Sequence, residues 1–294
     1  MLSSYNICSM KYSENGLGIA AMLAAVGSFS MMDAVIKTLT DSYPPMQVAA
    51  LRGLSAMPLV CIYVVWRRES RSLLQVRWPL HLFRGVIGVV MLYLFAYGVQ
   101  RLSLTDAYAI TFIAPLIITV LAVPFLNEKV HFSHWVCLLG GLVGVWVAMK
   151  PSPDAMLSLG ALAVLGAACC YAASAVSGRI LTRTDTSSSL VFWMTLLLGV
   201  GAGLLAAPDW IAVTPHHWPL IAALSVTGFL GQLAITQAFR HGKASVVAPL
   251  EYTALVWGAG LDWLIWHTLP GSSTLLGALI IIGCGLYVIR HPGK

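Results

Sequence analysis

Apolar residues gather along this chain in ten blocks, at about 16–39, 46–66, 79–99, 104–126, 131–149, 158–181, 188–207, 216–239, 244–267 and 271–289. The blocks lack the strict alternation of a half-buried strand, and each is long enough to cross ~30 Å of hydrocarbon as a helix. Short polar junctions separate them, several with turn chemistry: Tyr43-Pro44-Pro45, Lys150-Pro151-Ser152-Pro153 and Leu269-Pro270-Gly271. A backbone crossing lipid must satisfy its own hydrogen bonds, so a helix is the form these blocks must take. The pattern predicts an all-α membrane protein of ten transmembrane helices, with no connection long enough to fold as a soluble domain.

Composition agrees: 59% of the 294 residues are hydrophobic and 10% charged, where a soluble domain carries roughly a quarter charged residues. The net charge of +6 changes the picture through its placement. If the N-terminus is cytoplasmic, the inner segments hold Lys11, Arg67, Arg68, Arg71, Arg77, Lys129, Arg179, Arg183, Arg240, Lys243, Arg290 and Lys294, and the outer ends only Lys37, Arg101 and Lys150. That asymmetry predicts both termini in the cytoplasm and a multi-pass protein of a bacterial inner (plasma) membrane. It reports orientation and leaves no basic face for nucleic acid. Residues 1–15 read as a cytoplasmic tail before an uncleaved first helix, and 291–294 as a short C-terminal tail. Five of the six cysteines fall inside apolar blocks without CxxC spacing, and the histidine pairs lack companion ligands. No metal and no cofactor are expected.

The chain also repeats itself. Leu17-Gly18 with Lys37-Thr38-Leu39-Thr40 returns as Leu159-Gly160 with Arg179-Ile180-Leu181-Thr182, 142 residues on. Gly88, Ala107 and Phe112 return as Gly228, Val247 and Tyr252 at an offset of 140. Two five-helix repeats, 16–150 and 151–290, are expected, and because five is odd they must insert with opposite topology. Inverted repeats accompany alternating access, with the substrate site at their interface near the midplane.

Charges inside spans are costly and usually face a cavity or a partner. Here these are Asp33, Arg52, Arg84, Glu251 and Asp262. Glu251 stands beside Pro249, which removes a backbone donor, and its counterpart is Thr111, on one face with Tyr108, Phe112 and Pro115. Glu251 reads as a substrate contact, a proton carrier or a partner of a neighbouring helix. Asp262, three turns on, shares its face. Asp33 either pairs with Lys37 four residues later or points inward. Arg52 and Arg84 either bind an anion or pair structurally. Tyr93, Tyr97, Tyr171, Gln232, Tyr252 and Trp257 complete the candidate substrate-binding set, with Glu251, Asp262 and Asp33 as candidates for proton coupling. Stacking surfaces with few polar groups suit a small amphipathic solute. Glycines at Gly140-Gly141-x-x-Gly144, Gly277, Gly283 and Gly285 read as close helix packing.

At these residues the chain resembles the drug/metabolite transporter superfamily, in its ten-helix EamA branch. Ser103-Leu104-Thr105-Asp106-Ala107-Tyr108 through Pro115 to Leu126-Asn127-Glu128-Lys129 is similar to the family's small-residue start of helix 4, central proline and acidic-basic turn. Ala50-Leu51-Arg52 and Arg84-Gly85 resemble its arginines in helices 2 and 3. Thr268 stands where a second Glu often sits. The resemblance implies a cavity lined mainly by helices 1, 3, 4, 6, 8 and 9, with 5 and 10 peripheral. The function expected is secondary transport of a small-molecule substrate, with export of amino-acid-like or other amphipathic metabolites first and import of a vitamin or nucleoside-type metabolite second. A non-transporting membrane protein is the remote alternative. No Walker run supplies ATP use and no convergent catalytic group an enzyme. The lipid bilayer is the other partner, and a homodimer stays open.

Overall fold

The computed structural model describes residues 2–153, 158–267, 269 and 271–290, with side chains from Gly16 onward except Leu104 and Trp266. The described residues form helices and no strand. Among the described residues, ten helices are long and apolar enough to cross a membrane. We label them α1 (Gly16–Leu39), α2 (Pro45–Trp66), α3 (Trp78–Val99), α4 (Thr105–Leu126), α5 (Phe132–Met149), α6 (Leu159–Leu181), α7 (Ser187–Asp209), α8 (Pro215–His241), α9 (Ala244–Ile265) and α10 (Ser272–Arg290). The helix that contains α1 begins at Leu2, so the segment read as a tail continues the first helix. Thr268 and the tail at 291–294 lie outside the described residues.

The most extensive packings pair α1 with α8, α3 with α6, α2 with α7 and α5 with α10. Exchanging helix n with n+5 leaves this set unchanged. Small residues permit the close approaches. A Cβ added at Gly53 of α2 would collide with the backbone of Gly199 of α7, and one at Gly18 would stand 2.5 Å from the backbone nitrogen of Gly242. Gly144 and Gly277 bring α5 against α10 in the same way. Gly283 and Gly285 differ from expectation. The first has open space around it, and the second has only Leu250 nearby.

Two helices are broken, at matching places. The α4 span is two helical segments, Leu104–Thr111, which starts one residue before it, and Ala114–Leu126, interrupted at Phe112 and Ile113. α9 starts as Ala244–Val247, tightens to a 3-10 turn over Ala248–Thr253, and resumes as Ala254–Trp266. Pro115 and Pro249 cause the interruptions, since neither has an N–H for the carbonyl four residues back. Proline suits the first turn of the helix that follows. Both helices then end on a left-handed residue, Asn127 at φ 54° and His267 at φ 53°, 140 positions apart.

Candidate functional site

Between the helices lies a cavity of about 410 Å³. Its walls come from α1 to α4 and α6 to α9, and no α5 or α10 residue takes part. That division matches what the resemblance implied, with Arg52 of α2 and Leu190, Met194 and Leu198 of α7 added. Apolar side chains such as Met22, Phe29, Met91 and Phe95 make most of the wall.

The polar groups are few and come from both halves. Asp33, Arg52, Arg84, Tyr108 and Thr111, with Ser30, enter from the first half, and Tyr171, Gln232 and Glu251, with the hydroxyl residues Ser174, Thr182 and Thr236, from the second. Glu251 sits in the 3-10 turn of α9, and its Oε1 accepts a hydrogen bond of 3.1 Å from the Tyr171 hydroxyl of α6. Arg52 lies within electrostatic reach of both Asp33 and Tyr171, with its guanidinium 5.4 Å from the Phe29 ring centroid. Such an arginine gains cation–π attraction while facing the cavity. Phe29 has its place because Gly231 yields, where a Cβ would stand 2.6 Å from the ring. Thr111 donates to the carbonyl of Ala107 at 2.9 Å, using its hydroxyl inside its own helix.

The structure therefore gathers Asp33, Tyr108, Thr111, Phe112, Pro115, Tyr171, Gln232 and Glu251 around one space. It places five other candidates elsewhere. Tyr93 is 57% exposed on the outer surface, and Tyr97 stacks under Arg101, whose Cζ lies 3.6 Å from the ring centroid. Both occupy the face of α3 opposite Met91 and Phe95, since a two-residue step turns an α-helix by about 200°. Tyr252 is buried among Leu138, Val145 and Ile281, its ring against Gly141. Neighbours on a 3-10 turn diverge by about 120°, and here that divergence sends the Tyr252 ring toward α5 and α10 while Glu251 faces the cavity. Trp257 leaves the cavity for α1, its ring lying over Gly27. Asp262 takes the Lys37 ammonium at 3.1 Å with both side chains half exposed. That ion pair resolves the alternative for Asp33, which faces the cavity.

Other polar groups were not singled out from the sequence. His81 of α3 and Asp185, in the turn between α6 and α7, are buried with Nε2 and Oδ2 2.8 Å apart. The same carboxylate accepts from the Arg77 backbone N–H at 3.2 Å, and the Asp185 carbonyl accepts from Arg240 at 2.6 Å. Glu128 is buried too, accepting from the backbone N–H groups of Ala244 and Ser245, both at 2.9 Å, and from the Ser245 hydroxyl at 2.6 Å. It caps the start of α9 from the turn after α4. Asp106, named above only within the stretch that carries the resemblance, is buried as the Ser103 capping partner and accepts from Ser152 N–H at 2.7 Å. A polar residue at the edge of an apolar block was the available signal for His81 and Asp106. Nothing in the sequence indicated which distant group each would meet.

Ten apolar helices around a central, sparsely polar cavity define a polytopic membrane protein built to hold a small solute. The chain belongs to the EamA-like transporter family, whose model matches residues 16–150 and 158–290. Its curated relatives are named as transporters. The pseudopaline exporter of Pseudomonas aeruginosa (strain UCBPP-PA14) is 28% identical over 269 residues, covering 91% of this chain and 94% of that protein. The S-adenosylmethionine uptake transporter of Rickettsia bellii is 28% identical over 279 residues, 95% of each chain. The riboflavin transporter of Vibrio cholerae is 29% identical over 284 residues, 94% of each. A crystal structure of another protein, 18% identical, superposes with a TM-score of 0.80 over 94% of this chain and 97% of its own, so the fold is shared.

Proposed function

We propose that this transporter is a secondary active one, working by alternating access between inverted five-helix repeats and exporting amino-acid-like or other small amphipathic metabolites. The observation that carries this reading is the cavity itself, with Asp33, Arg52, Arg84 and Glu251 supplied to one space from both halves. Each ionised group at membrane depth costs about 2.5–3.5 kcal/mol on insertion scales, an expense that a solute or a carried proton offsets. Three features support the repeats: helix pairings that survive exchange of n with n+5, helix breaks after which the chain resumes at Ala114 and Ala254, 140 positions apart, and the same 140-residue offset between the two left-handed caps. Helix breaks beside a midplane site are a recurrent transporter feature.

Basic residues favour the side of the N-terminus, so both ends of the chain face the cytoplasm of a bacterial inner membrane. Glu251 carries the coupled proton, because its carboxyl lines the cavity with a single phenol donor. An uptake name among the relatives favours import as the second reading, for which the same cavity serves. Solute counterflow in proteoliposomes, with a mixed metabolite pool read by mass spectrometry, tests the assignment. Saturable exchange of one solute class is expected. Folded protein that exchanges no member of a broad pool would contradict it, and accumulation against the predicted direction under a gradient would select import.

A further inference from the structure

Three of the four charged groups in the cavity have company. Glu251 takes the Tyr171 hydroxyl, and Asp33 and Arg52 lie within electrostatic reach of each other. Arg84 is different. It is 8% exposed, and its Nε and Nη1 have no hydrogen-bond partner among the described residues. The guanidinium lies over Gly178 of α6, where a Cβ would stand 3.2 Å from Nη2 and 3.3 Å from Cζ. The absence of a side chain at 178 makes room for the fork. His81, one turn earlier on α3, carries no negative charge that could neutralise it, and its Nε2 pairs with Asp185 instead. A buried guanidinium without an acceptor is costly, and a planar fork of donors matches a carboxylate with two parallel hydrogen bonds.

The rest of the cavity narrows the ligand. Two arginines and two carboxylates sum to no net charge when ionised, so a solute of zero net charge with separated ends suits them better than a multiply charged anion. We propose that Arg84 holds the carboxylate of the transported solute, an amino-acid-type zwitterion whose ammonium end faces the carboxylates of Asp33 and Glu251. This rests on the transporter reading above and names its substrate class.

The test is equilibrium dialysis of the purified full chain against three matched panels: the L-amino acids, the amines obtained from them by loss of the carboxylate, and the acids lacking the 2-amino group. Retention of at least one amino acid is expected, with its amine bound about tenfold or more weakly. Arg84→Lys keeps the charge but loses the fork, and should weaken that amino acid about tenfold; Arg84→Met should abolish retention. Thermal melting of the empty variants reports folding. If Arg84→Met fails to fold, Arg84→Lys and the amine panel decide. No amino acid retained by the wild type, or one retained equally by Arg84→Lys or as its amine, overturns the proposal. Counterflow of a solute without a carboxylate, unaffected by Arg84→Lys, would remove the anchor and leave the transporter reading standing. Amino-acid retention without any counterflow would do the reverse.

Discussion

α4 and α9 occupy equivalent places in the two halves and share a backbone design, yet they carry different chemistry. Both break at a proline, both resume as a 13-residue helix, and both end on a left-handed residue. At the break, however, α4 presents Thr111, satisfied by its own turn, and α9 presents Glu251, held from a third helix by Tyr171. One residue further, Phe112 lines the cavity, whereas Tyr252 is buried against α5. The shared element is the interruption, which exposes backbone and re-aims side chains at membrane depth. Of the two breaks, only that of α9 carries a carboxyl group, Glu251.

The largest effect should come from removing that difference. Glu251→Gln is expected to abolish solute accumulation driven by a pH gradient while leaving solute exchange measurable, because the amide keeps the Tyr171 contact and cannot carry a proton. Undiminished gradient-driven accumulation in this variant would assign coupling elsewhere. Tyr252→Ala should act through packing, lowering stability by about 3 kcal/mol in a thermal melt with half-saturation unchanged in the protein that remains folded. A weakened half-saturation at unaltered stability would return Tyr252 to the binding set. Glu128→Ala strips three hydrogen bonds from the start of α9, so a cost of about 2 kcal/mol is expected. The smallest change is Thr111→Val, within about 0.5 kcal/mol and with transport little altered, since the hydroxyl only back-bonds its own helix. A large transport defect there would show that the first half contributes more than backbone geometry.

Much of this architecture is legible in the sequence, because lipid demands uninterrupted apolar runs. The block at 104–126 is found as Thr105–Leu126 and that at 244–267 as Ala244–Ile265. Pro115 and Pro249 likewise mark both breaks, since a missing N–H acts locally. Side-chain direction was less legible. Tyr93, Tyr97 and Tyr252 look like pocket residues by type, and only the helical phase relative to Met91, Phe95 and Glu251 turns them away from the cavity. Asp33 and Lys37 form a plausible local pair until Asp262 arrives from α9, a partner 225 positions from Lys37. The caps made by Glu128 and the pairing of His81 with Asp185 depend on contacts more than a hundred residues apart, which periodicity does not encode.

Accessibility of the cavity from the two membrane faces tests the central claim most directly. In protein whose cysteines have been replaced, Thr111→Cys would be labelled in sealed, oriented vesicles with a membrane-impermeant thiol reagent added to one side at a time, with and without a solute that supports counterflow. Alternating access predicts labelling from either side and protection from both when the solute is present. Labelling confined to one side under every condition, or labelling indifferent to a solute that the protein exchanges, would contradict a shared cavity as the route.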